Sequence, residues 1–177
     1  MNLPNKLTVA RMVAVPIFIV VLMYGYYYAA AIIFLLASFT DMLDGQIARK
    51  YNLVTNFGKI MDPLADKLLV MSALVCLVEL GDVPAWMVIA ILAREFTVTG
   101  LRTVAASQGI VIAAGMSGKI KTVTQMVAVT LILLKNWPFT YFDVPVADIM
   151  LWISVIMTIY SGIEYIVQNR QVFSMKE

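Results

Sequence analysis

Four aspartates near the middle of the chain have the spacing of two helical pairs. Asp41 and Asp44 lie three positions apart, and Asp62 and Asp66 lie four positions apart. Residues at these spacings share one face of an α-helix, so each pair would present two carboxylates on one side. Four carboxylates in one cleft repel each other, and Mg²⁺ or Mn²⁺, which prefer oxygen ligands, would relieve the repulsion. The pattern therefore indicates two divalent cations that assist chemistry on a phosphate-bearing substrate.

Small residues accompany the first acidic pair. Gly45 and Ala48 fall on the same helical stripe, where they would leave room for a nucleotide to approach the backbone. In the alternative interpretation, the aspartates pair with Arg49, Lys59 and Lys67, and the small residues only allow close helix packing.

The two acidic pairs must be positioned by neighbouring helices. The connection between them, roughly Lys50 to Lys59, is short, which predicts antiparallel helices whose carboxylates face each other. Pro63 suits a first helical turn, where its missing N–H is harmless, and this predicts that Asp62 lies near the N-cap of its helix.

Composition restricts the kind of protein that can carry this site. Of the 177 residues, 62% are hydrophobic and 14% charged, whereas soluble domains are about half apolar and a quarter charged. There is no His and one Cys, which excludes His-ligated zinc, Ser-His and Cys-His nucleophiles and a disulfide framework. The net charge of +2 is too small to suggest nucleic acid.

The uncharged runs predict an all-α integral membrane protein, one domain over residues 1–177, with six transmembrane helices and a short N-terminal interfacial segment. The first span begins near Met12 and turns at Gly25 among tyrosines. The second must continue past the first acidic pair towards Arg49 in order to cross the bilayer. The other predicted spans are Asp62–Leu80, Pro84–Val104, Gly118–Leu134 and Val146–Val167.

Basic residues predict the orientation in the membrane. One side would hold nearly all of them, namely Lys6, Arg11, Arg49, Lys50, Lys59, Arg102, Lys119, Lys121, Arg170 and Lys176. The other side would hold Lys135 alone, so both termini and both acidic pairs are expected on the cytosolic side of a cell membrane. The alternative for the N-terminus is a signal peptide, for which Ala29-Ala30-Ala31 could serve as the cleavage site.

The acidic segment resembles the signature of the CDP-alcohol phosphotransferase family, D-x-x-D-G-x-x-A-R-x8-G-x-x-x-D-x-x-x-D. The matching residues are Asp41, Asp44, Gly45, Ala48, Arg49, Gly58, Asp62 and Asp66. The resemblance implies six transmembrane helices, a homodimer, an active site facing the cytosol and transfer of a phosphatidyl group from CDP-diacylglycerol to an alcohol.

The same resemblance implies roles for individual residues. Asp41, Asp44 and Asp62 would bind two metal ions, and Asp66 would bind metal and act as the base. The CDP-diacylglycerol contacts would come from the signature and from an entry segment at the N-terminus that runs from Asn5 to Thr8. The residues expected to make these contacts are Asn5, Thr8, Gly45, Ala48, Arg49 and Thr55.

Four cationic residues beyond the acidic segment indicate which kind of alcohol is the acceptor. Arg94, Arg102, Lys119 and Lys121 are expected to bind an acceptor phosphate, because Arg and Lys are the usual partners of phosphate oxygens. Glycerol 3-phosphate suits four cations, whereas serine or choline would not need them. The strings around these residues are similar to the branch of the family that uses glycerol 3-phosphate. Alternatively, Arg94 and Glu95 form an intramembrane ion pair, and the two lysines are interfacial anchors.

Other functions remain open at this point. Within the family, the acceptor could be phosphatidylglycerol, as in a cardiolipin synthase, or an inositol phosphate. A divalent-cation transporter could use the same acidic cluster, but it should place ionisable residues along a path across the bilayer. A non-catalytic membrane scaffold would not need four matched aspartates.

Overall fold

The structure is a computed structural model that describes the backbone of residues 3–50, 56–110, 112 and 115–170. It describes the side chains of residues 6–40, 61, 64–65, 67–110, 112 and 115–170. These parts of the chain contain six α-helices, one short 3-10 helix and no strand. The helices are α1 (Leu3–Met23), α2 (Tyr27–Lys50), α3 (Asn56–Glu79), α4 (Ala85–Ser107), α5 (Met116–Leu133) and α6 (Val146–Gln168), and the 3-10 helix is Phe139–Phe142.

Four of the six predicted spans coincide with a helix to within a few residues, whereas α1 and α3 begin nine and six residues ahead of the predicted starts near Met12 and Asp62. Helix α3 begins at Asn56, ahead of Asp62 and Pro63, so the prediction that Asp62 caps a helix is wrong. The charge pattern marks where an apolar segment begins, but a helix can extend beyond that segment as polar turns. At the N-terminus, α1 begins at Leu3, so the predicted interfacial segment forms the first turns of the first long helix.

The helices pack around an apolar core. Helix α1 packs against α2 and α3, while α6 packs against α4 and α5. Phe18 of α1 and Phe34 of α2 are fully buried, with ring centroids 6.1 Å apart. Gly25 turns the chain between these two helices at a φ of +82°, a conformation that residues with a Cβ rarely adopt.

The exterior of the bundle is also apolar. Many large apolar side chains are more than a third exposed, among them Val13, Ile17, Val20, Ile32, Leu36, Phe39, Ile89, Phe96, Ile156 and Ile163. Exposed apolar side chains in such number are typical of a surface that contacts a membrane or a partner. Two of the described helical segments, Lys6–Met23 and Val146–Gln168, are long and apolar enough to cross a membrane.

The connection between α2 and α3 determines where the acidic pairs lie. Helix α2 ends at Lys50 and α3 begins at Asn56. Because this connection is short, the two helix ends lie at the same end of the bundle. We call this the aspartate end, because Asp41 and Asp44 lie in the last turns of α2 and Asp62 and Asp66 in the first turns of α3. The prediction of antiparallel neighbouring helices is confirmed for the backbone.

A polar cluster joins three connections at the opposite end. The Tyr27 hydroxyl donates a hydrogen bond to Asp82 Oδ2 at 2.7 Å, and Lys135 Nζ lies 3.1 Å from Asp82 Oδ1. The same ammonium lies 3.4 Å from the centroid of the Tyr27 ring. Burial alone would lower the pKa of Lys135, but its contacts with Tyr27 and Asp82 outweigh burial and raise the pKa above the ordinary value.

We expect Lys135→Met to lower the thermal unfolding temperature in detergent by roughly 2–4 °C at pH 8, because about 1 kcal/mol of ion-pair and cation–π stabilisation is lost. A raised lysine pKa contributes stability below about pH 10.4, and this contribution disappears as the pH rises through the folded-state pKa. The difference between variant and wild type should therefore shrink as the pH rises through that pKa. An equal loss at pH 8 and pH 11 would contradict a charge-based contribution.

Candidate functional site

The acidic positions of α2 continue a buried stripe of that helix. Ala30, Phe34 and Ala37 are almost completely buried and recur at helical spacing. Asp41 follows Ala37 by four residues and Asp44 follows by seven, so both continue the same register. This register predicts that the two positions face the interior of the bundle.

The acidic positions of α3 also share a helical register with buried residues of their helix. Ala65 and Leu69 are buried, and Asp62 and Asp66 each precede one of them by three residues. Helical periodicity therefore predicts that both pairs lie on the inward faces of these two helices. An all-carboxylate donor set at such a position fits hard divalent cations such as Mg²⁺ or Mn²⁺.

Several predicted site residues lie outside the described part of the chain. Thr55 lies wholly outside it. For the others the structure describes the helix position but not the side chain, namely Asn5, Asp41, Asp44, Gly45, Ala48, Arg49, Asp62 and Asp66. Their metal and nucleotide contacts therefore stay predictions.

The N-terminal segment packs beside the acidic half of α2. Thr8 is fully buried, and Arg11 is 2% exposed. Arg11 Nε donates a hydrogen bond to the carbonyl oxygen of Ala37 at 3.3 Å. Because Ala37 lies one turn before Asp41, α1 holds a buried guanidinium beside the part of α2 that leads into the acidic pair.

A cavity of about 410 Å³ with many charged residues in its lining lies between α3, α4, α5 and α6. All four cations predicted to bind acceptor phosphate line it, together with Lys67, and two glutamates also belong to its wall. The charged lining residues are Lys67, Arg94, Arg102, Lys119, Lys121, Glu95 and Glu164. Five cations and two carboxylates give a net charge of +3, so we call this space the cation cavity.

Glu95 joins cations from three helices at one point of the cavity wall. Its Oε1 atom lies 2.6 Å from Lys121 Nζ and 2.8 Å from Arg94 Nη1, and its Oε2 atom lies 3.5 Å from Lys67 Nζ. The alternative interpretation of Arg94 and Glu95 as an ion pair is thus confirmed, but within a larger network that lines a cavity. Buried ion pairs contribute little net stability, so stability alone does not explain this cluster.

Within the described part of the chain, the cationic side chains at the mouth of the cavity have no carboxylate partner, unlike those that contact Glu95. Arg102 Nε donates a hydrogen bond to the Tyr165 hydroxyl at 3.1 Å, and its guanidinium lies 5.5 Å from the centroid of the Tyr165 ring. Lys119 is exposed, and its ammonium group has no ion-pair or hydrogen-bond partner among the described residues. An entering anion would therefore meet the guanidinium nitrogens of Arg102 and the ammonium of Lys119 first.

Two glycines make room for the Arg94 side chain. A Cβ atom at Gly162 would lie 3.0 Å from Arg94 Cγ, and one at Gly118 would lie 3.3 Å from an Arg94 terminal nitrogen. Arg94 thus extends from α4 across the backbones of α5 and α6. A side chain at either glycine would require the arginine to shift.

The cation cavity adjoins the helical turn that carries Asp66. Lys67 and Val70 both line it. Lys67 is the next residue after Asp66, and Val70 lies one turn further along the same face of α3. The helix position predicted to hold the base is therefore continuous with the cavity wall.

Sequence reasoning did not assign cavity roles to several lining residues. Gln125, Tyr165 and Ser161 are buried and line the cavity, and Lys67 was interpreted only as a possible counter-ion for the aspartates. One available signal was the spacing of Lys121 and Gln125, which places a second polar group on the same face of an apolar helix. Polar side chains in apolar helices usually face a cavity or a partner.

Comparison with known proteins identifies the chain's relatives. The family model described as CDP-alcohol phosphatidyltransferase matches residues 1–160. The chain is 50% identical to the CDP-diacylglycerol–glycerol-3-phosphate 3-phosphatidyltransferase of Bacillus subtilis, with 95% of each chain covered. Enzymes of the same description from Rickettsia bellii and Arabidopsis thaliana are 44% and 38% identical, and the alignments cover 93% of this chain and 93% and 78% of theirs. The chain therefore belongs to the CDP-alcohol phosphatidyltransferase family.

Proposed function

We propose that this chain transfers the phosphatidyl group of CDP-diacylglycerol to glycerol 3-phosphate, producing phosphatidylglycerophosphate and CMP. The names of its relatives support both substrates. The observation that carries the proposal is the continuity between the cation cavity and the turn of α3 that contains Asp66. A phosphorylated alcohol held in this cavity would have its phosphate among five cations and its hydroxyl towards the acidic helix ends.

The reaction follows from these positions. The Asp66 carboxylate takes the proton of the acceptor's primary hydroxyl, and the oxygen attacks the lipid-bearing phosphorus of CDP-diacylglycerol. The bond between that phosphorus and the bridging oxygen breaks, and the bridging oxygen leaves as part of CMP. Arg94, Arg102, Lys119 and Lys121 orient the acceptor through its phosphate, so that the encounter of hydroxyl and phosphorus becomes effectively intramolecular.

The aspartates are assigned as metal ligands. Asp41, Asp44, Asp62 and Asp66 would hold two Mg²⁺ or Mn²⁺ ions, supported by their carboxylate chemistry and by the inward register of their helix positions. Bound there, the ions would supply electrostatic stabilisation of the charge that develops on the pyrophosphate. Asn5, Thr8, Gly45, Ala48, Arg49 and Thr55 are proposed to bind the CDP portion of the lipid substrate.

In the membrane, we place all six α-helices as spans, with both termini and the active site on the cytoplasmic side. The apolar exterior and the two helices that qualify as spans support the membrane location. The near absence of basic residues at the end opposite the aspartates, where Lys135 lies, supports the orientation. We propose one domain over the whole chain and a homodimer, both on the basis of the family resemblance.

The acceptor is tested by measuring CMP release. Purified protein in detergent receives CDP-diacylglycerol and Mg²⁺, with glycerol 3-phosphate, phosphatidylglycerol, inositol phosphate or serine as acceptor. We expect release with glycerol 3-phosphate and formation of phosphatidylglycerophosphate. Turnover with phosphatidylglycerol or inositol phosphate, and none with glycerol 3-phosphate, would assign another acceptor. The absence of CMP release with every acceptor would overturn the proposed function.

We expect Gly162→Ala to raise the KM for glycerol 3-phosphate by about tenfold or more, because the added methyl group would lie 3.0 Å from Arg94 Cγ and displace the side chain. The KM for CDP-diacylglycerol should change less than about twofold, since uniform binding of only one substrate is lost. Gly100→Ala is the matched control, because a Cβ atom there meets nothing within 4 Å. Equal changes in both KM values would indicate a general disturbance of packing instead.

A further inference from the structure

The cation cavity has a closed end and an open mouth. Ser161, Gln125 and Lys121 are 1%, 2% and 3% exposed, and they form the closed end. Lys119 and Arg102 are exposed and form the mouth. A ligand that fills the cavity would therefore be in contact with neutral polar groups as well as with cations.

The Gln125 side chain carries an unused donor at the closed end. Its Nε2 atom is buried and has no hydrogen-bond partner in the structure. A buried donor without a partner normally destabilises a protein, and such groups usually have a functional explanation. Gln125 lies one turn beyond Lys121 on α5, so its amide and the buried ammonium share one face of the helix.

Two further unused polar atoms belong to the same cavity wall. Glu164 Oε2 is buried without a partner, while its Oε1 atom accepts a hydrogen bond from Gln168 at 3.1 Å. Arg94 Nε is likewise buried and unpaired, although its Nη1 atom contacts Glu95. The wall thus offers two donors, from Gln125 and Arg94, and one acceptor, from Glu164.

These unpaired atoms and the nearby cations fit a ligand that carries two kinds of polar group. A phosphate accepts hydrogen bonds from arginine, but a phosphate dianion has no hydrogen to donate to a carboxylate. A hydroxyl both accepts from an amide N–H and donates to a carboxylate oxygen. The unpaired donor of Gln125 and the unpaired acceptor of Glu164 therefore suit a hydroxyl bound in the same cavity as the cations that suit a phosphate.

We propose that Gln125 and Glu164 bind the acceptor's second hydroxyl, the one that does not react, and so select phosphorylated diols. This inference rests on the proposed function and adds specificity residues to it. The Gln125 amide donates to the hydroxyl oxygen, and the hydroxyl donates to Glu164 Oε2. An acceptor without this hydroxyl leaves both buried groups unpaired, which is the condition under which a site discriminates strongly.

The test compares kcat/KM for glycerol 3-phosphate and for propane-1,3-diol monophosphate, which keeps the phosphate and a primary hydroxyl but lacks the secondary hydroxyl. Wild-type protein should prefer glycerol 3-phosphate by about 30-fold or more. Gln125→Met keeps an unbranched side chain of similar length without the amide. This variant should lower kcat/KM for glycerol 3-phosphate by about tenfold or more, whereas kcat/KM for the analogue should stay within about threefold of the wild-type value. The preference for glycerol 3-phosphate over the analogue should therefore decrease.

Gln108→Leu is the matched control, because Gln108 is an exposed residue at the C-terminal end of α4 that does not line the cavity. It should retain the wild-type preference. Equal use of both acceptors by the wild type would overturn the inference without any variant, even if Gln125→Met failed to fold. Equal loss on both acceptors in Gln125→Met would also overturn it. CMP release with neither acceptor would instead overturn the proposed function, and the inference with it.

Discussion

Asp66→Asn should lower kcat by about 10³-fold or more while the apparent affinity for CDP-diacylglycerol changes only a few-fold. Asparagine is nearly the same size as aspartate but cannot take the proton of the acceptor hydroxyl, and a positioned base contributes about 10²–10⁴-fold. The amide is also a weaker ligand for a divalent cation than a carboxylate, which adds to the loss. The measurement is CMP release with glycerol 3-phosphate at saturating lipid and metal, together with direct binding of a CDP-containing ligand.

The matched control is Asp148→Asn, an exposed aspartate in the first turn of α6 at the end opposite the aspartate end. This variant should retain wild-type turnover. If Asp66→Asn retains more than about a tenth of the wild-type kcat, Asp66 is not the base. If binding and turnover are lost together, its role is to hold metal and nucleotide without a separate role in proton transfer.

Removal of divalent metal should abolish CMP release, and Mg²⁺ or Mn²⁺ should restore it. Like charges about 4 Å apart repel by about 4 kcal/mol at an effective dielectric constant of 20, so four ionised carboxylates need cations nearby. Chelation should therefore also lower the thermal unfolding temperature, because an ion that binds only the folded state stabilises it.

A chelator already saturated with Mg²⁺ is the control, since it reproduces every other effect of the reagent. It should change neither turnover nor unfolding temperature. In the Asp44→Asn variant, metal should stabilise the fold less than in the wild type, because one ligand is weakened. Full turnover after exhaustive chelation would contradict the metal assignment of all four aspartates.

The helices were predictable because apolar runs and charged connections are local properties of the sequence. The start of α3 was not, because the helix already includes Asn56 to Met61, a segment that contains Lys59 and precedes the uncharged run. The spacing of the aspartates predicted shared helix faces, and the buried residues Ala37 and Leu69 lie in the same helical registers. The metal and nucleotide contacts themselves stay predictions.

The sequence predicted the positive charge of the cation cavity but not the contacts between its lining residues. The four cations follow from their residue types and from the expected topology. Their arrangement depends on packing between residues far apart in sequence, such as Lys121 and Glu95, which lie 26 positions apart. The role of Gly162 depends in the same way on Arg94, a residue of another helix. Pattern and composition contain no signal for such pairs.

Electron–nuclear double resonance tests most directly whether the acidic helix ends and the cation cavity form one active site. Protein with Mn²⁺ and CMP is mixed with glycerol 3-phosphate deuterated at the carbon that bears the reacting hydroxyl. We predict a deuterium coupling to Mn²⁺ in the wild type, and a much weaker one at equal ligand concentration in Lys121→Met, where a buried cation of the cavity is removed. Absence of this coupling in wild-type protein, while calorimetry shows glycerol 3-phosphate bound, would mean that the acceptor and the metal occupy separate sites.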